Sequence, residues 1–218
     1  MIISSEIAEL QAELARRETP RRASETAVAE VAELFRSCGY REDLNPALFG
    51  TLCHLGASEV EKTTGRGLFL KGDLGIGKSM GLEILAKQFG WVFLDALEIE
   101  GFYASQPNYE TWEEFCRGCD FFGRPRTMVI DDLGTEKFPF MLYGTPGNPL
   151  RELLEFRYRQ SFRRDGVRTI VTTNLTDEEI AERYGYRLRD RIDEMFSVVT
   201  IHGPSARSRK RLEAADRP

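Results

Sequence analysis

The chain has 218 residues, a formal net charge of -5, 41% apolar residues and 30% charged residues. That is the composition of an ordinary globular protein with one core, and the length predicts one domain plus a short extension. The acidity excludes a protein that is basic as a whole, so any nucleic-acid contact must come from local patches, and no apolar run approaches the roughly 20 residues that a membrane span needs.

The first predicted element is a helix over about 4–18, with Ile3, Ile7, Leu10 and Leu14 at helical spacing and Pro20 as a stop. It would either pack back on the domain or dock on a partner or sister subunit. Its apolar residues alternate with Glu and Gln and no basic leader precedes them, so it does not read as a secretory signal and a cytoplasmic protein is expected. A second helix over about 23–38 carries Val28, Val31, Leu34, Phe35 and Cys38 on one face, with Gly39 as its stop. "NPALFGTLCHLG" predicts a third, capped by Asn45, started by Pro46 and ended by Gly56, with a polar loop over 57–66.

From Gly67 the pattern changes to alternating strands and helices, which predicts a parallel sheet with crossover helices. "GLFLKG", "WVFLDALE", "RTMVIDD", "RTIVTTNL" and "SVVTIHG" are the five expected strands. The expected helices are 78–89, "YETWEEFCRGC", the long "NPLRELLEFRYRQSFRRDG" stopped by Gly166, "TDEEIAERYG" and "YRLRDRIDEMF". The tail "PSARSRKRLEAADRP" is basic at first.

"GDLGIGKS" stands between an apolar strand and a helix, the context in which a glycine-rich turn cradles phosphate. Gly72, Gly75 and Gly77 would let the backbone turn tightly and aim N–H groups at phosphate oxygens, and Asp73, Leu74, Ile76 and Met80 complete the expected contact stretch. Lys78 would neutralise the β- and γ-phosphates and Ser79 would hold Mg²⁺. The strand "TMVIDDLG" ends in Asp131 and Asp132, which on a regular strand would point to opposite faces. Asp131 would then serve Mg²⁺ through water, and Asp132 would orient or deprotonate the attacking water; a strand-end acid pair capping the next turn is the plainer alternative.

The distance along the chain from Lys78 to Asp131 leaves room for another strand, and predicts one between the loop strand and the acid strand. Among Thr172, Thr173 and Asn174 at the end of "TIVTTNL", Asn174 is chosen to hold the water, because its amide donates and accepts together. Arg187, Arg189 and Arg191 sit among Asp190, Asp193 and Glu194, so they are either salt-bridged or include an arginine supplied in trans to a neighbour's γ-phosphate. Arg207 heads a basic tail that is either solvated or reaches the chain's own nucleotide. "CRGC", with Cys116 and Cys119, has metal or redox spacing but no second pair to complete a zinc site, so free thiols are the alternative. Arg157, Arg159, Arg163, Arg164 and Arg168 form a possible DNA-contacting region or a solvated helix face.

Taken together, "GDLGIGKS", "VIDDLG", "TTNL", "YRLRDRI" and "GPSAR" in this order resemble the AAA+ ATPases of the DnaC/IstB group, over about 67–210. "DDLGTE" and the "RY" of Arg157 and Tyr158 resemble the loader-type members. The resemblance implies an α/β, RecA-like P-loop three-layer sandwich with a five-stranded parallel sheet and an N-terminal helical extension. Its implied divisions are a 1–60 extension for partner or oligomer contacts, a 61–203 ATPase domain and a 204–218 tail. It implies ATP and Mg²⁺, with Lys78 and Ser79 as the Walker A pair and Asp131 and Asp132 as the Walker B pair. Asn174 would be sensor 1, Arg187 the trans-acting arginine, Arg191 a second candidate, and Arg207 the sensor 2 arginine. It further implies a ring or spiral with ATP between subunits, single-stranded DNA in the centre and a replicative helicase as partner. The alternative within the group is a transposition helper that recruits a transposase on duplex DNA. A small-molecule kinase with "RLRDR" as a phosphate-clamping lid is disfavoured by the acid pair with Asn174, and a nucleotide-binding scaffold without turnover is the remaining reading.

Overall fold

The computed structural model describes residues 23–63, 66–105, 108–119, 124, 126–161 and 168–206. The helix expected over 4–18, the Gly166 stop and the tail with Arg207 lie outside the described residues. Helix α1 (Glu25–Ser37) is capped by Ser24, whose hydroxyl accepts from the Ala27 amide, and Gly39 follows it at φ 74°. A single 3₁₀ turn, Glu42–Leu44, leads to α2 (Pro46–Val60), where Asn45 caps and Pro46 takes the first position as expected.

Helix α2 does not stop at Gly56 but runs through it to Val60, taking in part of the expected 57–66 loop. The glycine serves packing instead. A Cβ there would lie 2.8 Å from Val31 Cγ1 and 2.9 Å from Leu85 Cδ2, so its absence lets α1 and the helix carrying Leu85 close on α2.

The remaining elements are β1 (Gly67–Gly72), α3 (Lys78–Phe89), β2 (Val92–Asp95), α4 (Ala96–Ser105), α5 (Tyr109–Arg117), β3 (Met128–Leu133), β4 (Phe140–Leu142), β5 (Thr145–Gly147), α6 (Pro149–Ser161), β6 (Thr169–Thr173), α7 (Asp177–Tyr184), α8 (Tyr186–Met195) and β7 (Phe196–Ile201). Three of these were not expected. The stretch read as the strand "WVFLDALE" turns into α4 at Ala96, because Asp95 and Glu98 make reciprocal caps: the Glu98 amide donates to Asp95 Oδ1 at 2.7 Å and the Asp95 amide to Glu98 Oε2 at 2.9 Å. Strands β4 and β5 form an antiparallel hairpin after β3, turning through Tyr143 at φ 50° and Gly144 at φ 83°, the paired positive φ of a tight hairpin turn.

The fold is α/β, with the five expected strands in one all-parallel sheet in the order β2-β3-β6-β1-β7. Successive strand residues feed opposite cores. Leu68, Leu70, Val129 and Ile170 join α1, α2 and α3 in one cluster, while Phe69, Ile130 and Val171 join α4 through α8 in the other. Helices thus cover both faces. Strand β6 lies between the loop strand β1 and the acid strand β3, whereas β2, which follows the loop helix in the chain, falls at the sheet edge. The interposed strand is therefore the one that leads to Asn174.

Candidate functional site

The carboxyl ends of β1, β6 and β3 are adjacent, so the loop, Asn174 and the acid pair meet on one edge of the sheet. At Gly72 a Cβ would fall 2.0 Å from the Ile201 carbonyl oxygen, so β7 can pass only a glycine there. Gly77 takes φ 106°, and Ile76, 2% exposed, pins the loop into the first core. Leu74 and Met80 face out, at 72% and 45% exposed.

Lys78 opens α3 and is buried. Its ammonium donates to the Gly72 carbonyl at 2.8 Å, to the Asp73 carbonyl at 2.9 Å and to Asn174 Oδ1 at 2.7 Å. Those are three acceptors for three protons. Burial lowers its pKa, opposed by the charges of Asp132, Asp131 and Asp73. The two sequence-predicted residues Lys78 and Asn174 are thus in direct contact across 96 positions.

The acid pair departs from the regular strand on which the opposite-face expectation rested. The β3–β6 register shifts between Ile130 and Leu133, and Asp132 sits at φ 50°. A bulge re-aims the side chains, so alternation no longer assigns their directions. Both carboxylates instead act on the Lys78 ammonium. Thr172, passed over in favour of Asn174, is what holds the bulge: its hydroxyl donates to Asp131 Oδ1 at 2.6 Å and accepts from the Asp132 amide at 2.8 Å. Three polar residues at one strand end were visible in the sequence, but a bulge on the neighbouring strand was not. Downstream, buried Glu136 accepts from the Gly134 amide, from Arg183 Nε and from the Tyr184 hydroxyl, tying the turn after the acids to α7.

Two distant segments clasp the loop. Tyr40 donates its hydroxyl to the Gly77 carbonyl at 3.2 Å, and Asn45 Nδ2 donates to the His202 carbonyl at 3.3 Å. From beyond β7, the Gly203 amide donates to Asp73 Oδ2 at 3.0 Å and the Ala206 amide to the Gly75 carbonyl at 2.9 Å. The Gly203 amide, then His202, hold the Asp73 carboxyl below its ordinary value. Nothing in the residue pattern marked this strap.

The arginines divide. Arg187 is exposed near the start of α8, and its charge reaches Tyr158 on α6. Arg189 pairs with Asp177 and Asp193, and Arg191 lies 4.6 Å from the Tyr158 ring centroid. The proposed basic region does not share one solvated face. Arg157 has 0% exposure, and Arg168 donates to Ser58 Oγ and Glu59. Arg159 is exposed; Arg163 and Arg164 lie outside the described residues. Arg157 donates to Thr169 Oγ1 and to the carbonyls of Cys116, Arg117 and Arg168. It thereby fixes the "CRGC" segment. Cys116 is buried and its thiol is pushed up to about 12 by desolvation, so it stays protonated, and no metal-binding cluster occurs among the described residues.

No protein-family model matches the chain, and no curated protein matches it.

Proposed function

We propose that the chain is a P-loop ATPase of the AAA+ type, resembling the DnaC/IstB group, and acts as a loader of a replicative helicase on single-stranded DNA. The observation that carries the ATPase reading is the meeting of Lys78, Asn174 and the Thr172-held Asp131–Asp132 bulge at the carboxyl ends of three adjacent strands. An exposed glycine loop before a helix N-terminus, with a buried lysine and two carboxylates behind it, suits a triphosphate.

In this reading Lys78 exchanges its bonds to the Gly72 and Asp73 carbonyls for the β- and γ-phosphates. Asp132 orients or deprotonates the attacking water and Asn174 holds it. Ser79 and Asp131 offer the hard oxygens that Mg²⁺ prefers, with the remaining positions left to phosphate and water, and Thr172 fixes the Asp131 carboxylate. When bound, Mg²⁺ would neutralise phosphate charge. Arg187, exposed near the start of α8, suits a role in trans on a neighbour's γ-phosphate in a homo-oligomer, and Arg207 a role as sensor 2.

The test is ATP hydrolysis with and without single-stranded DNA, joined to capture of the helicase in ATP. Asp132→Asn should lower kcat by about 10²–10⁴-fold while retaining ATP and helicase. Unchanged turnover overturns the assignment of Asp132. Phosphate transfer to an acceptor with no response to DNA makes the chain a kinase. Capture of a transposase with filaments on duplex DNA selects the transposition-helper reading. Normal hydrolysis by an assembled Arg187→Ala oligomer removes the trans role.

A further inference from the structure

Helices α7 and α8 meet at a single residue. Tyr184 ends the first, Tyr186 begins the second, and Gly185 between them turns at φ 91°. The Gly185 carbonyl accepts from the Leu188 and Arg189 amides, so α8 starts at the joint itself. Ile180, Tyr184, Leu188 and Ile192 bury the apolar sides of both helices in the second core. On the polar side a side-chain strut joins them. Asp177 is the first residue of α7, and its Oδ1 lies 3.1 Å from Arg189 Nε, so the strut crosses from the end of α7 remote from the joint to the first turn of α8.

The same Asp177 oxygen accepts from the Lys71 ammonium at 2.6 Å. Lys71 pairs with Thr173 of β6 and immediately precedes Gly72, whose carbonyl accepts from Lys78. Asp177 itself stands three residues after Asn174, another acceptor of Lys78. One carboxylate oxygen therefore touches the phosphate-loop strand, the segment that follows the Asn174 strand and the helix that carries Arg187. The Lys71 bond first, then that of Arg189, holds the Asp177 carboxyl below its ordinary value, so it is ionised at neutral pH. Arg189 also donates to Asp193 at 2.8 Å, one turn further along α8. Exposed ion pairs add little stability, and the Asp177 side chain is 46% exposed. What two cations from two elements on one oxygen do supply is a fixed direction for α8.

We propose that Asp177 is a positioning residue for Arg187: through Lys71 and Arg189 it ties the orientation of α8 to the phosphate-loop strand, so that the arginine one subunit offers its neighbour depends on the state of its own loop. This role rests on Arg187 acting in trans, as proposed above. When Lys78 leaves the Gly72 carbonyl for phosphate, the backbone beside Lys71 is freed to shift. Asp177 carries that shift to Arg189, and α8 carries it to Arg187 two residues away. Coupling of this kind needs a chain of contacts between the two sites, and Lys71–Asp177–Arg189 is such a chain.

The test is a double-mutant cycle on ATP turnover by the assembled oligomer. Asp177→Asn and Lys71→Gln should each lower kcat about fivefold or more, the low end of ordinary coupling between sites, while KM for ATP holds. In an Arg187→Ala background neither change should lower kcat further, because the group they orient is gone. The same fractional loss in both backgrounds, or no loss in either, overturns the proposal. A rise in KM with kcat unchanged would make Asp177 a support of the chain's own loop and overturns it too. Asp177→Asn keeps the Thr176–Glu179 capping box of α7; if it nevertheless fails to fold, Arg189→Gln breaks the strut from its other end and makes the same comparison. The two readings fail differently. Full turnover by Arg187→Ala removes the trans role and the positioning role with it, whereas impaired Arg187→Ala with additive Asp177→Asn removes the positioning role alone. A wild-type chain without turnover removes both.

Discussion

Arg157 is a guanidinium with no exposure, held by one hydroxyl and three carbonyls rather than by a surface acid. Burial lowers its pKa to about 10, so it stays charged at neutral pH. Truncating it would orphan those acceptors inside the protein. Arg157→Ala should therefore cost about 3–5 kcal/mol in denaturant unfolding; a loss under about 1 kcal/mol, the scale of an ordinary surface substitution, would contradict this account. Read as one arginine in a run of basic residues, Arg157 looked like a surface charge. The pattern held a better signal. Leu150, Leu153, Leu154 and Arg157 fall at i, i+3, i+4 and i+7, so the arginine lies on the apolar stripe of α6. Lys78 and Asn174 were legible because strand-end polar groups beside a glycine loop have few other uses. Thr172 was not, because its importance comes from a bulge on the neighbouring strand.

At the scale of elements, glycine and acidic residues were the ambiguous symbols. Gly56 reads as a helix end, yet it is a notch into which Val31 and Leu85 fit. Gly56→Ala should leave the helix intact but destabilise the protein by ~1–3 kcal/mol through overpacking. A gain in stability, as helix propensity alone would give, would show that the contact relaxes without strain. "DALE" extends an apolar run and reads as strand, yet Asp95 and Glu98 at three-residue spacing are a reciprocal cap that starts α4. The β4–β5 hairpin escaped notice because its strands are three residues each, too short for alternation to register. Of the five parallel strands, β1, β3 and β6 were legible because each is a buried apolar run bounded by polar turns, the form that two covered faces require, whereas the edge strands β2 and β7 are only partly buried.

For the whole molecule, the sheet order matters more than the chain order: it places a late strand between two early ones and so assembles Lys78, Asn174 and the acids. The strap from beyond β7 then grips Asp73, whose carboxyl is held below its ordinary value by the Gly203 amide first and His202 second. A depressed folded pKa means that this grip is complete above the unfolded aspartate value of about 3.9 and is lost as pH falls through the folded pKa. The Gly203 amide resonance should accordingly titrate with a midpoint below ~3.9; a midpoint at or above that value would deny Asp73 its partner. The clasp also has a direction in time. Asn45 and the His202 carbonyl it donates to are 157 residues apart, and Gly75 waits for the amide of Ala206. During synthesis the glycine loop leaves the ribosome early, but its partners beyond β7 emerge more than a hundred residues later. The loop takes its final shape only once that strap has been made, so under the proposed function nucleotide binding would be among the last properties a newborn chain acquires.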